Sequence, residues 1–153
     1  MATSFKLDFS DFTKHCEKLV KSVIPELAEK GIARATMQLL NDAIMEIPTV
    51  PIKEGWLRGS GSIFVQNKLA GVSTAGLPGL AATVSTESIK PGDIVGICAF
   101  NASYAARLHE SIGFKFTEPS SGPKFLEAKL FNNKDRYFRI VANTIKEGGD
   151  KKE

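Results

Sequence analysis

The glycine and serine run at 59–62, GSGS, has the residue types that could cradle a phosphate or supply a nucleophile. It follows Arg58 and precedes a strand pattern, so it offers an anion no helix N-terminus, and the Gly-Lys-Ser ending of a phosphate loop is missing. Ser60 also lacks the Gly-x-Ser-x-Gly setting of a hydrolase nucleophile, because Arg58 stands where the first glycine belongs. We interpret the run as a flexible entry to a strand.

The adjacent residues His109 and Glu110 could serve as an acid and a base. Neighbouring side chains on a helix point about 100° apart, so the two would not easily share one substrate atom. The pair instead favours a role at the surface or in a contact between subunits.

A zinc site would have to combine His15, Cys16, Cys98 and His109, which are all the histidines and cysteines in the sequence. No two of them have metal-ligand spacing, because His15 and Cys16 are adjacent and point apart on a helix. We therefore expect both thiols to be reduced and structural, with no metal and no cofactor. Without a cluster of Asp, Glu, His or Cys, an enzyme is the least favoured class of protein.

Two further pairs of side chains have a plain structural interpretation. Asp42 and Glu46 are a like-charged pair four residues apart, which we expect on the exposed face of a helix. Phe131 and Phe138 lie seven residues apart and could stack on bases, but this spacing is more typical of a helix that buries them in a core.

The composition is that of a folded globular protein, since 42% of residues are hydrophobic and 24% are charged. The formal charge of +3 comes from scattered basic residues, so it does not by itself indicate nucleic acid as a partner. No apolar run approaches the roughly 18 residues of a membrane span, and the first ten residues, MATSFKLDFS, lack a signal pattern. We expect a cytoplasm-like compartment and no membrane partner.

A long helical region is predicted over 8–47, with a break or kink near Pro25 and an end at Pro48. Small residues at 28, 31 and 35 make one side of its second helix narrow enough for close packing. We expect that helix to lie flat on a sheet.

The sheet is predicted over 59–118. A first strand, IFVQNKL, is followed by a flexible loop near 69–80 that contains Pro78. A hairpin is expected from AATVSTESI and IVGICAF, with Pro91 and Gly92 in the turn. A short helix or irregular turn over 101–112 follows, with Tyr104 on its apolar face, and then a short strand at Phe114 and Phe116.

A C-terminal helix is predicted over 123–147, with Gly148 and Gly149 ending it and residues 148–153 forming a solvated tail. The order of elements differs from the regular alternation of a doubly wound parallel sheet. It predicts a single α+β domain over 1–153, with a mostly antiparallel sheet, a long N-terminal helical region and a C-terminal helix packed on one face.

Three short motifs occur in the order found in the minor tail-component family of long-tailed bacteriophages, the head-to-tail joining or tail-completion proteins. The first is Gly55-Trp56-Leu57-Arg58-Gly59-Ser60, which follows a helix and its proline stop and leads into a strand. The second runs from Tyr104-Ala105 to His109-Glu110, and the third is Pro123-Lys124-Phe125-Leu126 before the last helix. The chain resembles this family over residues 27–146.

The resemblance implies a structural virion protein that is not an enzyme. Copies would assemble in the host cytoplasm into a ring, usually sixfold in this family and alternatively twelvefold, at the head-tail junction of the virion. The ring would join the head connector to the tail tube and surround the path of the DNA without binding it specifically. The alternative function is a small nucleic-acid-binding domain, whose affinity for DNA would depend on salt.

The first motif is the expected contact between subunits, because Trp and Arg are enriched at the centres of buried interfaces and small neighbours allow a close approach. The alternative makes Trp56 a plug of the core and Arg58 a surface ion-pair donor. The full set of expected subunit or partner contacts is Gly55, Trp56, Leu57, Arg58, Ser60, Pro78, Tyr104, His109 and Glu110.

Overall fold

The computed structural model describes residues 14, 17, 19–52, 55–73 and 90–151. Its elements are a π-helical turn (Leu19–Val23), α1 (Ile24–Met45), α2 (Trp56–Gly59), β1 (Gly61–Val65), β2 (Lys68–Val72), β3 (Gly96–Phe100), α3 (Ala105–Glu110) and α4 (Glu127–Asp150). The three strands form one sheet in the order β2-β1-β3, and both pairings are antiparallel. The predicted α+β class is confirmed.

Helix α1 lies between the sheet and α4. Leu40, Ala43 and Ile44 on one side of α1 share a core with Ile63 of β1. The opposite side packs against α4, where Tyr137 contacts Ala35 and Leu39. The layers are therefore sheet, α1 and α4, and α1 is buried over an unusually wide arc of its surface.

The small side of α1 faces α4, and not the sheet as the sequence had suggested. A Cβ atom at Gly31 would lie 3.0 Å from the Cα of Val141, so this glycine lets the two helix backbones approach closely. The expectation that the helix lies on the sheet is met by the other side, through Leu40 and its neighbours. The stripe of small residues on α1 lets α1 and α4 pack closely, because two helix backbones can approach each other only where no large side chain lies between them.

Both ends of α1 follow from prolines. Pro25 occupies the first turn, where a missing N–H costs nothing, and the π-helical turn runs directly into it without a separate helix break. The helix ends at Met45, and a cis peptide bond joins Ile47 to Pro48. The chain then turns back, because the N–H of Val50 donates to the carbonyl of Ala43 at 2.8 Å.

The hairpin joining β1 and β2 was missed by the sequence analysis. Residues 68–72 form a strand where a flexible loop was predicted from 69 onwards, and Gln66 and Asn67 both have positive φ in the two-residue turn. Gln-Asn is a weaker hairpin signal than Asn-Gly, which explains the error. Residues 74–80, with Pro78, lie outside the described part.

The turn predicted at Pro91 and Gly92 is confirmed, since the N–H of Asp93 donates to the carbonyl of Lys90 at 3.1 Å. The strand predicted before it, at 81–89, lies outside the described residues. The strand after it is β3, which pairs with β1.

Two predictions on the C-terminal third were wrong. Phe114 and Phe116 are not in a strand, and their rings instead pack edge to face with centroids 5.2 Å apart. Helix α4 starts at Glu127, after the predicted 123, and continues through Gly148 and Gly149 to Asp150. Gly148 faces the Leu27 side chain with no room for a Cβ atom, so its smallness serves packing and does not end the helix.

A polar seam, formed by Asp42 and Glu46 of α1 with Arg136 and Tyr137 of α4, joins the two helices. Asp42 is only 4% exposed, accepts hydrogen bonds from Gln38 at 2.8 Å and the Tyr137 hydroxyl at 2.7 Å, and pairs with the Arg136 guanidinium. Glu46 pairs with the same guanidinium at 3.2 Å. The expectation that Asp42 and Glu46 lie on an exposed face was therefore wrong for Asp42, because its charge is compensated across the helix pair.

Phe131 and Phe138 were predicted in the core but lie at the surface. They are 82% and 68% exposed, although their spacing suggested core residues. They lie on the outer side of α4, while Lys129, which is 2% exposed, is buried and donates to the carbonyl of Pro48 at 2.9 Å. Burial lowers the pKa of this lysine.

Candidate functional site, an aromatic groove

The first turn after the proline corner positions Trp56 at the surface. Gly55 has φ of 85°, a left-handed conformation that glycine adopts without strain, and it begins the single helical turn α2. Leu57 points into the core that includes Leu40 and Ile63. Trp56, its neighbour, is 48% exposed. The alternative in which Trp56 plugs the core does not describe this structure.

Arg58 holds this turn in place from within the chain. Its Nε donates to the carbonyl of Val50 at 2.8 Å, and a terminal nitrogen donates to the Thr49 hydroxyl at 3.3 Å. The guanidinium also lies 3.9 Å from the Glu118 carboxylate. The side chain is largely buried, so Arg58 anchors α2 to the segments before and after it and leaves Trp56 as the projecting residue.

Ser60 connects the same turn to the start of α3. Its buried hydroxyl donates to the carbonyl of Leu57 at 2.8 Å and accepts from the N–H groups of Asn101 and Ala102 at 3.1 and 3.3 Å. Two N–H groups just before α3 are thereby satisfied by a side chain of the first motif. Tyr104 comes two residues after Ala102, so these hydrogen bonds of Ser60 hold the first motif next to the start of the second.

The aromatic groove is defined by Trp56, Tyr104, Phe114 and Phe116 together with the basic residues Arg107 and Lys115. It has a volume of about 550 Å³, and Pro51 and Ile52 complete its wall next to the end of α1. Trp56 and Tyr104 expose roughly equal fractions of their surfaces, 48% and 42%. The large rings that would normally be buried here remain open to solvent.

Both charged side chains among the described residues that line the groove are basic. Within the described ranges, neither Arg107 nor Lys115 has an ion-pair partner, whereas Glu118 is engaged by Arg58. The groove therefore combines an apolar floor with two available cations at its wall.

His109 and Glu110 lie on a different surface. The His109 ring packs edge to face on Phe125, its Nδ1 is 2.8 Å from a Glu110 carboxylate oxygen, and Lys124 pairs with Glu110 and with Glu127. Hydrogen bonds from Lys124 and then from His109 hold the pKa of Glu110 below its usual value. This charged cluster ties α3 to the start of α4, and it borders a second, shallower pocket of about 410 Å³.

The structure thus brings together only part of the predicted contact set. Trp56 and Tyr104 line one groove with Leu57 beneath them. Gly55, Arg58 and Ser60 support the groove, while His109 and Glu110 lie elsewhere. Pro78 lies outside the described residues.

Four residues of the groove were not predicted from the sequence, namely Phe114, Phe116, Arg107 and Lys115. Their signal was visible as two aromatic residues separated by a lysine close to Tyr104. It was assigned to a strand because alternation of this kind is typical of half-buried strands.

The described residues hold no metal-binding cluster, and their cysteine is not activated. In the part of the chain that the structure describes, no three His, Cys, Asp or Glu side chains gather where they could hold a metal ion. Cys98 is a free thiol, and burial raises its pKa to about 12, so its reactive thiolate form is suppressed. What the groove can do is bind an apolar group, with a preference for one that carries negative charge.

Comparisons with known proteins gave no relatives for this chain. No family model, no curated protein and no solved structure matches it. None of the described helices is long and apolar enough to cross a membrane.

Proposed function

We propose that this chain is the subunit of a ring at the head-tail junction of a long-tailed bacteriophage, where it joins head connector to tail tube around the DNA path. The proposal starts from the three motifs that resemble the tail-completion family. The single observation that supports it best is that Trp56 of the first motif and Tyr104 of the second line one exposed groove.

An exposed Trp beside an exposed Tyr is costly in an isolated molecule. Each aromatic side chain can bury about 150–250 Å² in a contact, at roughly 25 cal/mol per Å² of apolar surface removed from water. Trp, Tyr and Arg are also the residues that most often dominate the energy of protein interfaces. We therefore assign the aromatic groove as one side of the contact between neighbouring subunits.

A ring needs two unlike patches on each subunit, because each copy contacts the next with a different surface. The aromatic groove supplies one candidate. A second apolar surface exists on the outer side of α4, at Phe131 and Phe138, on a different element from the groove. A chain with two separate apolar surfaces is suited to head-to-tail assembly more than to a simple twofold dimer.

The test is the mass of the full chain in solution, by light scattering over a range of concentrations, with negative-stain images of large species. The expected particle has about six times the 16.6 kDa mass of the chain. Trp56→Ala and Tyr104→Ala should dissociate it while the far-UV circular dichroism stays that of the folded protein.

Met45→Ala is the matched control, since Met45 is an exposed apolar residue that does not line the groove. It should leave the particle intact. Monomers at every concentration, both alone and with candidate neck proteins added, would argue against the ring.

A second candidate, a nucleic-acid-binding domain, is favoured by the two basic residues among the rings of the groove. Aromatic side chains beside Arg and Lys can stack on the bases of a single strand and neutralise its phosphates. This function predicts an affinity for single-stranded DNA that falls steeply with salt and is lost in Trp56→Ala. Absence of such binding at low salt would leave the ring as the better proposal.

A further inference from the structure

We propose that the aromatic groove of one copy is occupied by residues 5–12 of the neighbouring copy. This inference rests on the proposed ring and names the occupant of its contact. The segment reads FKLDFSDF and lies outside the described residues. Four of its eight residues, Phe5, Leu7, Phe9 and Phe12, have large apolar side chains.

The chemistry of the segment complements that of the groove. Phe5, Leu7 and Phe9 alternate with polar residues, so the segment, docked in extended form in place of the helix that the sequence predicts from residue 8, would present the three apolar side chains to one side. Aromatic rings of the segment can pack edge to face on the rings of the groove. Its two carboxylates, Asp8 and Asp11, outnumber its one cation, which suits the two cations at the groove wall.

The lengths of the elements favour a neighbour's segment over the chain's own. The groove begins at Pro51, and Val50 is held beside Ala43, so the groove lies close to the C-terminal end of α1. The helical residues from Leu19 to Ala43 separate it from the N-terminal segment by roughly 35 Å at 1.5 Å per residue.

An extended chain spans at most about 3.5 Å per residue. Phe12 precedes Leu19 by seven positions and so reaches at most about 25 Å, while Phe9, ten positions before Leu19, reaches about 35 Å only when fully stretched. A chain therefore cannot lay Phe9 and Phe12 into its own groove. In a neighbouring copy the same segment has no such limit.

This arrangement makes the contact heterologous. Each copy gives its segment to one neighbour and receives a segment from the other, and repetition closes a ring when the rotation between copies permits. Burial of the aromatic side chains of the segment in the groove would stabilise this contact.

A binding measurement tests the docking independently of the ring. The receptor is the full chain with Phe5→Asp and Phe9→Asp, whose own segment can no longer compete, and the probe is a fluorescent peptide of residues 1–13 followed by anisotropy. The peptide should bind saturably. Phe9→Asp in the peptide, or Trp56→Ala added to the receptor, should each weaken binding at least about tenfold. Lys115→Glu in the receptor should weaken it less, and mainly at low salt.

A mixing experiment tests the head-to-tail geometry. Phe5→Asp/Phe9→Asp lacks a competent segment but keeps the groove, and Trp56→Asp lacks a competent groove but keeps the segment. Each should be monomeric alone. Mixed in equal amounts, they should form heterodimers with a single contact, and no rings.

The outcomes separate the two proposals. Equal binding of the peptide by receptors with and without Trp56, or rings that persist in Phe5→Asp/Phe9→Asp, would overturn the docking and leave the ring standing. Specific peptide binding by a chain that never forms rings, with or without neck proteins, would support the docking and overturn the ring.

Discussion

The polar seam and the aromatic groove reverse the usual distribution of residues in a folded protein. The seam buries a carboxylate, Asp42, between two helices, and Lys129 is buried near one end of the same pair. The groove leaves Trp56 and Tyr104 about half exposed. Charges usually stay in water unless paired, and large rings are usually covered.

We interpret the difference through the proposed ring, in which the seam pairs within the chain and the groove pairs with another copy. The Asp42 carboxylate of the seam finds its partners within one chain, namely Gln38, Arg136 and Tyr137. We expect this network to set the register of two helices that also approach closely at Gly31. For the groove, whose rings stay partly exposed, we propose a partner outside the chain. We therefore expect substitutions in the seam to lower stability and substitutions in the groove to abolish assembly.

The largest expected effect on stability is that of Asp42→Ala. It removes the acceptor of the hydrogen bonds from Gln38 and Tyr137 and one of the two carboxylate partners of Arg136, so the buried Tyr137 hydroxyl loses this acceptor. We expect a loss of about 3 kcal/mol in the free energy of unfolding, measured by urea denaturation followed by circular dichroism. The value is at the low end for a buried pair because Arg136 is partly exposed and can regain water.

The matched control for this change is Asp135→Ala, an exposed aspartate on α4, which should change stability by less than about 0.5 kcal/mol. Folded Asp42→Ala should still assemble. A loss below about 1 kcal/mol, or a folded variant that no longer assembles, would contradict the division between seam and groove.

Ser60→Ala has the next largest expected effect on stability, and it removes a hydroxyl that supports the groove. Its hydroxyl satisfies the N–H groups of Asn101 and Ala102, so the variant leaves two partly buried donors without this partner. We expect a loss of about 2 kcal/mol, together with weaker assembly, because α2 and the start of α3 are no longer tied. Ser60→Thr, which retains a hydroxyl, should recover part of the assembly; assembly unaffected in Ser60→Ala would show that the tie is dispensable.

The positions of secondary-structure elements were predicted better than the side of each element that is buried. The class, the long helix ending before Pro48 and the turn at Pro91 and Gly92 follow from local rules on proline, glycine and periodicity. The assignment of faces failed because it depends on partners distant in sequence. Asp42 is buried through residues of α4 more than 90 positions away, and no local pattern reveals that pairing.

The groove was only partly predictable, because it too depends on contacts between residues that are distant in sequence. Trp56 and Tyr104 stood out as contact residues through the resemblance of their motifs. The segments that carry them are joined by a hydrogen bond from the Asn101 N–H to the Ser60 hydroxyl, across 41 positions of sequence. Phe131 and Phe138 fit a helical period that a core would also produce, and periodicity does not tell which side of a helix is covered.

Tyr137→Phe has a smaller effect that depends on pH. Its hydroxyl donates to Asp42, and we expect a loss of about 1.5 kcal/mol near pH 7, because the acceptor is charged. Burial, and then the hydrogen bond to Asp42, raises the pKa of Tyr137 from 10.0 to about 12. The folded state therefore keeps the phenol proton at a pH where the unfolded state has lost it.

The contribution of this proton is fully present below pH 10 and is lost as the pH rises through about 12. The stability difference between the native chain and Tyr137→Phe should accordingly shrink over that interval. Comparing the two proteins cancels the titration of lysines, which occurs in the same range. A difference that grows with pH would show that the sign of the linkage is wrong.

The smallest expected effect is that of Phe138→Ser on the outer side of α4. Although Phe138 is a large apolar residue in a helix, it is 68% exposed, so the substitution removes little buried surface and should change stability by less than about 0.5 kcal/mol. Tyr137→Ala, one position away and buried, should cost several times more. If Phe138→Ser keeps stability within this range and abolishes the ring, α4 carries a second contact between subunits; if the ring persists, this part of α4 is dispensable for assembly.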